Sequence, residues 1–376
     1  MKNLILLIMV LVGIESYPQS GNIDVLIPPQ GFDIRLLNSA GTSCILNNVS
    51  NIGFMNPAAI SNFDNLSIGI SYQFNSDINN GWINDSKVKR QYDLIPQSAG
   101  STIKWKQITF GLGFTQNYNS RVDFVWNPYS FEDPEITEFR GRVNSFSAIA
   151  AYTVEEVFKG SSLSFGFSYT LNSVDFANKN NENEISLSDN AGNYSFGILY
   201  SVKNISGRKT ALGFSFTTNT KFESEYFYSS FPVIIRDGSE SSLAVAQNLV
   251  EGNIPAHFKF DISTDLSETL LLNSSLTGLF WNTNNTQLKD QLEVSASMVF
   301  KLNENFSPAA GFYYTDKKYD PDIFDFNNKF NAVFLIAGLK LNFNMFNADL
   351  TIADSHLLSG EFRKQTIGKI SLGINL

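Results

Sequence analysis

In "IPAHFKFDIS", residues 254–263, three side chains able to carry charge or move a proton fall on every second position: His257, Lys259 and Asp261. In an extended strand that spacing puts all three on one face and Ala256, Phe258 and Phe260 on the other. An ammonium at Lys259 would meet an incoming carboxylate or, more simply, pair with a neighbouring Asp or Glu. Arg236, in a long connection between strands, has the same two options. Covalent chemistry finds less support. The chain has two histidines, His257 and His356. Ser355 adjoins His356, but adjacent strand residues point to opposite faces, so they form no nucleophile–base pair. "DKKYDPDIFDF" holds Asp316, Asp320, Asp322 and Asp325 at a spacing that matches no calcium loop, and reads as a solvated acidic loop. No Cys/His metal cluster and no glycine-rich phosphate cradle occurs. The chemistry on offer is binding: the sequence reads as a non-enzyme with no metal and no cofactor.

The elements that would position these groups show a two-residue period. From Leu66 onward, Leu66, Ile68, Ile70, Tyr72 and Phe74 alternate with Ser67, Gly69, Ser71 and Gln73. The pattern returns fourteen times, near 66–76, 97–105, 107–118, 142–155, 160–174, 190–203, 208–222, 254–264, 268–281, 287–302, 305–316, 329–343, 345–356 and 365–376. Short connections (104–107, 155–160, 204–208, 264–268, 302–305, 342–345) alternate with long ones (77–96, 119–141, 175–189, 223–253, 317–328, 357–364), except that one connection on the long side, near 282–286, is short. If the strands run up and down, the short turns share one rim and the long loops the other, as in outer-membrane barrels.

A soluble sandwich would also alternate. Three features decide between them. Many segments run well beyond the 5–6 residues usual in soluble strands. In "SSLSFGFSYTL" the polar set is Ser164, Gly166, Ser168 and Thr170, small groups suited to a crowded interior, where a sandwich would carry Lys and Glu. The apolar sets, such as Leu212, Phe214 and Phe216, hold almost no charge, and Arg or Lys at a lipid midplane costs about 2–4 kcal/mol. In hydrocarbon a sheet must have no open edge, so such strands must close. The expectation is an all-β fold: a 14-stranded antiparallel transmembrane β-barrel over residues 65–376.

Composition agrees. The 376 residues include 33 Phe, 14 Tyr and 4 Trp, rings that a barrel displays to lipid. The net charge of −9, unchanged by loss of Lys2 and Glu15, argues against nucleic acid as a partner. The lone cysteine, Cys44, excludes an intramolecular disulfide. "MKNLILLIMVLVGIESYPQS" has Lys2 followed by an apolar run from Leu4 to Ile14, too short for a membrane helix, and reads as a signal peptide over residues 1–20, with Ser16 or Ser20 before the cut. Residues 21–64, polar and irregular, read as a plug inside the barrel.

"NNVSNIGFMNPAAISNFDNLSIGISYQFNSDIN" resembles the N-terminal hatch and first strand of the long-chain fatty-acid transporter family of outer membranes, the FadL/TodX type, with Asn56, Pro57 and Ala58 at the family's Asn-Pro-Ala position. "NIPAHFKFDISTDLSETLLLNSSLTGLFW" and "LKDQLEVSASMVFKLNENFSPAAGFYYTDKKYDPD" look like later hairpins of that family. The usual Gly after the motif is replaced by Ala59 and Ile60, and the chain ends in Leu376 where the family has an aromatic residue.

The resemblance implies passive uptake of a hydrophobic small molecule, such as a long-chain fatty acid, across the outer membrane of a Gram-negative-type envelope. The ligand would be captured at outer loops, admitted by a moving hatch and released sideways into membrane lipid at a kink in the third strand. That strand, "ITFGLGFTQNY", has Gly111 and Gly113 on its inward face. "SSLAVAQNLVEG", residues 241–252, has apolar residues at near-helical spacing and predicts a short amphipathic helix. With Phe227, Tyr228 and Phe231 upstream, Leu243 and Leu249 make this loop the capture candidate. Lys259, His257 and Arg236 are the candidates to meet a carboxylate. The alternative, drawn from barrels of the same fold, is a docking or shuttle component of a protein secretion system, with secretion proteins as partners.

Overall fold

The computed structural model describes residues 48–63, 66–75, 87–90, 95–126, 135–179, 184–204, 207–226, 232–234, 240–242, 248–281, 288–316, 318–319, 331–359 and 366–376. Fourteen strands make the wall: β1 (Leu66–Asn75), β2 (Ile95–Trp105), β3 (Ile108–Trp126), β4 (Glu135–Glu155), β5 (Ser161–Lys179), β6 (Glu184–Lys203), β7 (Lys209–Thr217), β8 (Ala256–Asp265), β9 (Leu270–Phe280), β10 (Gln291–Phe300), β11 (Phe306–Thr315), β12 (Ala332–Phe343), β13 (Phe346–Asp354) and β14 (Thr366–Asn375). Each pairs antiparallel with its sequence neighbours, and β1 closes on β14 through rungs such as Ile68↔Ile374 and Tyr72↔Ile370. The sheet closes on itself around the whole circumference, so the wall has no free first or last strand.

The alternation decides which face is which. Ile68, Leu112 and Phe196 are at least half exposed on the outside, while Ser67 and Ser71 are fully covered inside. The exposed belt continues around the wall through Phe165, Phe214, Leu292, Leu335 and Leu372. A closed sheet with an apolar exterior and a small polar interior is the form in which strands cross a bilayer. At the short-turn end the belt becomes aromatic, with Trp105, Tyr152, Phe158, Phe343 and Phe346 exposed. The Tyr152 hydroxyl donates to Gln107 Oε1 at 3.2 Å, the amphipathic placement favoured at a membrane interface.

Turn chemistry fixes that rim. Trp105↔Ile108 and Phe343↔Phe346 are closed by two-residue turns whose first residues, Lys106 (φ 57°) and Asn344 (φ 51°), are left-handed. Asn accepts that conformation more readily than most residues.

The strands differ from the sequence pattern above the belt. β3 to β6 run 19 to 21 residues, so the expected long connections at 119–141 and 175–189 are largely strand. Outside lipid a ladder needs paired backbone groups but no apolar face, and the alternation that marks a strand fades there. The seventh expected segment, 208–222, is two strands: β7 stops at Thr217, and 220–226 pairs instead with 248–254. That pairing overturns the helix expected at 241–252: residues 240–242 pair with 232–234, and 248–252 lie in the ladder Asn248↔Tyr226 to Ile254↔Thr220. Strand pairing satisfies those backbone groups across chain segments, which apolar spacing within one segment does not register. No described helix is long and apolar enough to cross a membrane.

Candidate functional site

Residues 48–63 lie inside the barrel as two short 3-10 segments of two turns each, Val49–Phe54 and Pro57–Asn62. Val49, Ile52, Ala58, Ala59 and Ile60 are fully buried, clustered with Ile149 and Ala151 of β4, Leu199 of β6 and Ala211 of β7. Each segment starts on an asparagine cap. Asn48 Oδ1 accepts from Ser50 N at 3.0 Å, and Asn56 Oδ1 accepts from Ala58 N at 2.9 Å, with Pro57 at the first helical position, where its missing N–H costs nothing.

The wall is flat where these turns land. Gly373, Gly69, Gly100 and Gly113 form one horizontal rung across β14, β1, β2 and β3. A β-carbon on Gly100 would stand 2.1 Å from Val49 O, and one on Gly69 would stand 2.8 Å from Val49 Cγ1. A second platform, Gly166↔Gly197 on β5 and β6, takes the Asn-Pro-Ala turn, where a β-carbon on Gly166 would stand 2.1 Å from Ala58 N. These glycines permit backbone-to-backbone approach that any side chain would block.

Asn56, Pro57 and Ala58 are thus the docking turn itself. The Asn56 amide donates to Ile198 O at 3.1 Å and Phe214 O at 3.0 Å, spanning the β6–β7 seam. With its oxygen occupied by Ala58 N, the buried amide is fully used. Gly111 and Gly113 also face the inner segment: a β-carbon there would meet Ile52 Cδ1 at 3.3 Å and Gly53 N at 3.2 Å. The β2–β3 ladder runs through both without interruption.

The wall changes just beyond them. Among the described residues the β2–β3 ladder runs to Ser98↔Thr115, and pairing along that edge of β3 resumes only where Lys87–Arg90 meet Val122–Val125. Meanwhile β2 stays with β1 through Tyr72↔Pro96 and Gln73↔Ile95, and β3 stays with β4 as far as Trp126↔Glu135. Both strands carry a register shift at that height, Gln97 being extra against Ser71/Tyr72 and Asn117 extra against β4. Bulges bend strands and end pairing. The break lies beside the inner segment, where Ser98 Oγ donates to Asn51 Oδ1 at 3.0 Å. Asn117 Nδ2 donates to Ser145 Oγ at 2.6 Å, and that hydroxyl donates on to Asn172 Oδ1 at 2.6 Å.

Among the described residues, two groups of buried charge stand out inside the barrel. His257, Lys259 and Asp261 face inward as the spacing predicts, Lys259 and Asp261 deeply buried and 3.8 Å apart as an ion pair. Lys259 shares a rung with Thr277 and Glu293 across β8, β9 and β10. The second group was not foreseen. Lys369 Nζ donates to Asn51 Oδ1 at 2.6 Å, and Asp349 Oδ2 accepts from Asn48 Nδ2 at 2.7 Å. The inner segment is therefore tied to β13 and β14 by one buried cation and one buried anion. The available signal was a lysine on the Ile367–Lys369–Ser371 face of "TIGKISLGINL", inward like its neighbours.

Asp316 departs from the solvated-loop expectation. It is buried, and its Oδ1 accepts from Leu292 N at 2.9 Å, ending the β10–β11 pairing. Beside it, Trp281 Nε1 donates to Gln291 Oε1 at 3.0 Å, and Gln291 Nε2 donates to Thr315 Oγ1 at 2.6 Å. Asp320, Asp322, Asp325, Phe227, Tyr228, Phe231, Arg236 and Leu243, like the leader at 1–20 and residues 21–47, lie outside the described residues. Leu249 is in the 248–254 strand, its backbone opposite Glu225. Among the described residues no group of three His, Cys, Asp or Glu is placed to hold a metal.

The closed fourteen-stranded antiparallel wall has counterparts among solved structures. The fold is that of the FadL-type transporters. The toluene transporter TbuX of Ralstonia pickettii superposes with a TM-score of 0.61 at 11% identity, over 90% of this chain and 97% of that one. A FadL homologue of Pseudomonas aeruginosa gives 0.58 at 12% identity, over 92% and 98%. The monoaromatic hydrocarbon channel CymD gives 0.54 at 12%, over 93% and 97%. No family model and no curated protein matches the sequence. The FadL-type fold is thus shared at the level of backbone, with about nine residues in ten changed.

Proposed function

We propose that this protein is an outer-membrane passive transporter for hydrophobic small molecules, exported by its leader, with residues 21–64 as the hatch and release through the wall. The observation that carries the reading is the end of the β2–β3 ladder at Ser98↔Thr115, directly beside the docked inner segment. A hydrophobic solute gains nothing from a water-filled pore, and a break in the wall at membrane height leads it into lipid, where its transfer is favourable. The proteins sharing the fold include ones named as toluene transporters and monoaromatic hydrocarbon channels, which supports the solute class. Release needs no covalent step: the inner segment shifts from its glycine platform, and the solute moves past Asn51 and Gly53 to the break.

Capture falls to the outer connections carrying Phe227, Tyr228, Phe231, Leu243 and Leu249. Lys259 is held by Asp261, so a ligand carboxylate there must compete with an existing ion pair.

The test is uptake of labelled ethylbenzene and oleate by cells expressing the wild type or a variant lacking Asn117, whose deletion restores one-to-one register between β3 and β4. Saturable uptake lost in the folded deletion variant supports lateral release. No uptake by folded wild type would overturn the transport reading in favour of a protein-docking role.

A further inference from the structure

Thr220–Tyr226 and Asn248–Ile254 form a two-stranded ribbon separate from the wall sheet, beginning just after β7 stops at Thr217. The ribbon is seated on the inner face of β4 and β5. Phe222 is fully buried against Val143 and Val174, which stand opposite each other on those strands. Ile254 of the ribbon and Ala191 of β6 pack alongside. Two residues further along the same face, Ser145 of β4 stands opposite Asn172 of β5.

Three hydrogen bonds join this ribbon to the bulged residue of β3. Thr220 Oγ1 accepts from Asn172 Nδ2 at 3.2 Å, Asn172 Oδ1 accepts from Ser145 Oγ at 2.6 Å, and Ser145 Oγ accepts from Asn117 Nδ2 at 2.6 Å. Ser145, Asn172 and Thr220 are almost completely covered. The serine hydroxyl has one proton, spent on Asn172, so towards Asn117 it can only accept. In a buried chain of this kind each bond polarises the next. Val143 supplies a second tie, because its partner across the β3–β4 ladder is Tyr118, the residue just past the bulge. The seat of the ribbon and the bulge beside the wall break are two ends of one connected structure.

We propose that the ribbon controls the bulge at Asn117 through the Thr220–Asn172–Ser145 chain. A solute that lifts Phe222 from Val143 and Val174 pulls Thr220 from Asn172, and the chain of donors behind it loses its last acceptor. Asn117 then gives up the contact that fixes the bulge, and β3 is free to change register at the edge where its pairing with β2 stops. Entry at the long-connection end is thereby linked to release at the wall. That meaning rests on the transport reading, but the link itself is measurable without transport.

Gln116 gives a reporter beside the bulge. Its amide donates to Asn144 Oδ1 at 3.2 Å, and Asn144 lies between inward Val143 and Ser145, so both stand on the outer face. The full chain in lipid nanodiscs carries Cys44→Ser and Gln116→Cys, the new thiol bearing a trifluoromethyl tag followed by fluorine NMR. Phe222→Glu puts a carboxylate into the apolar seat, so the ribbon is expected to lift, read as faster tryptic cleavage at Lys221. A second fluorine resonance is then expected to rise to at least about a tenth of the signal, as for a populated minor state. Ser145→Ala, which cuts the chain, is expected to show the same resonance by itself, and adding Phe222→Glu to it is expected to change the spectrum no further. Thr220→Val keeps the ribbon's shape but removes the acceptor; the second resonance is expected with Lys221 still protected. Heat-modifiable gel mobility establishes that each variant is folded, and Thr220→Val carries the test if Phe222→Glu does not fold. A lifted ribbon with the wild-type spectrum, a Phe222→Glu effect equal with and without Ser145, unchanged protection of Lys221 in folded Phe222→Glu, or a wild-type spectrum in Thr220→Val would each overturn the proposal. Ethylbenzene uptake by cells, run in parallel, reports on transport separately: uptake without the spectral link sinks this inference and leaves the transport reading standing.

Discussion

Asn56 lies so close over Gly197 that a β-carbon on the glycine would fall 1.9 Å from the Asn56 amide oxygen. The contact exists because one residue has no side chain and the other spends its whole amide on backbone groups: one bond caps its own turn, and two bridge β6 and β7. Position 56 thus fastens the inner segment to the wall at a site where water cannot substitute.

Asn56→Ala removes all three bonds, though Ile198 O and Phe214 O keep their places in the wall ladders. Each lost hydrogen bond is worth about 0.5–1.5 kcal/mol net, and the lost cap about 1 kcal/mol. The barrel keeps its own ladders, so the expected outcome is a folded, heat-modifiable protein whose residues 48–63 become accessible to added protease. Protection equal to wild type would show that the turn does not hold the segment.

Gly100→Leu and Gly166→Leu place side chains where Val49 O and Ala58 N now lie, 2.1 Å from the first added carbon. Backbone cannot yield as a flexible side chain would, so the inner segment must lift off. In reconstituted vesicles both variants are expected to admit small hydrophilic solutes at least several-fold faster than wild type. Gly207→Leu, at a rim turn with open space around it, is the control for a leucine placed elsewhere. Its left-handed φ of 79° makes it strained locally, but it should stay tight.

Lys369→Met keeps the bulk of the side chain but removes the ammonium that Asn51 Oδ1 accepts from. Asp349 then loses the buried positive charge nearest to it on β14. Breaking one side of a buried charge set costs about 3–5 kcal/mol, read as a lower denaturant midpoint in tryptophan fluorescence. Adding Asp349→Asn removes the orphaned charge, so the double variant is expected to be more stable than the sum of the single losses. Additive losses would mean that the two charges do not act on each other.

Leu112→Arg puts a guanidinium in the middle of the apolar belt, at a side chain that is now largely exposed. The expected loss is about 2–4 kcal/mol in lipid vesicles. Gly113, the next residue, faces inward, so the contrast tests the assignment of faces. A Leu112→Arg variant as stable as wild type would mean that this part of the wall does not meet lipid.

Fourteen segments, their sidedness and the placement of the short turns were legible in the sequence, because a period of two is imposed locally by the pleat and its polarity by what each face meets. Ser67 against Ile68 already carries that decision. Asn56, Pro57 and Ala58 were legible as a unit but not as a dock, since the glycines beneath them, Gly166 and Gly197, stand more than a hundred residues away. Lys259 could be placed on the inner face with a ligand carboxylate or a neighbouring Asp or Glu as its partner, and the structure supplied Asp261. The meeting of Lys369 with Asn51 could not be read, because it is made only when β14 closes on β1. The same closure, together with bulges at Gln97 and Asn117, decided where the wall ladder stops. Alternation is written along the chain; the tertiary structure alone fixed which distant backbones touch, because those contacts depend on barrel registry and on the absence of a few β-carbons.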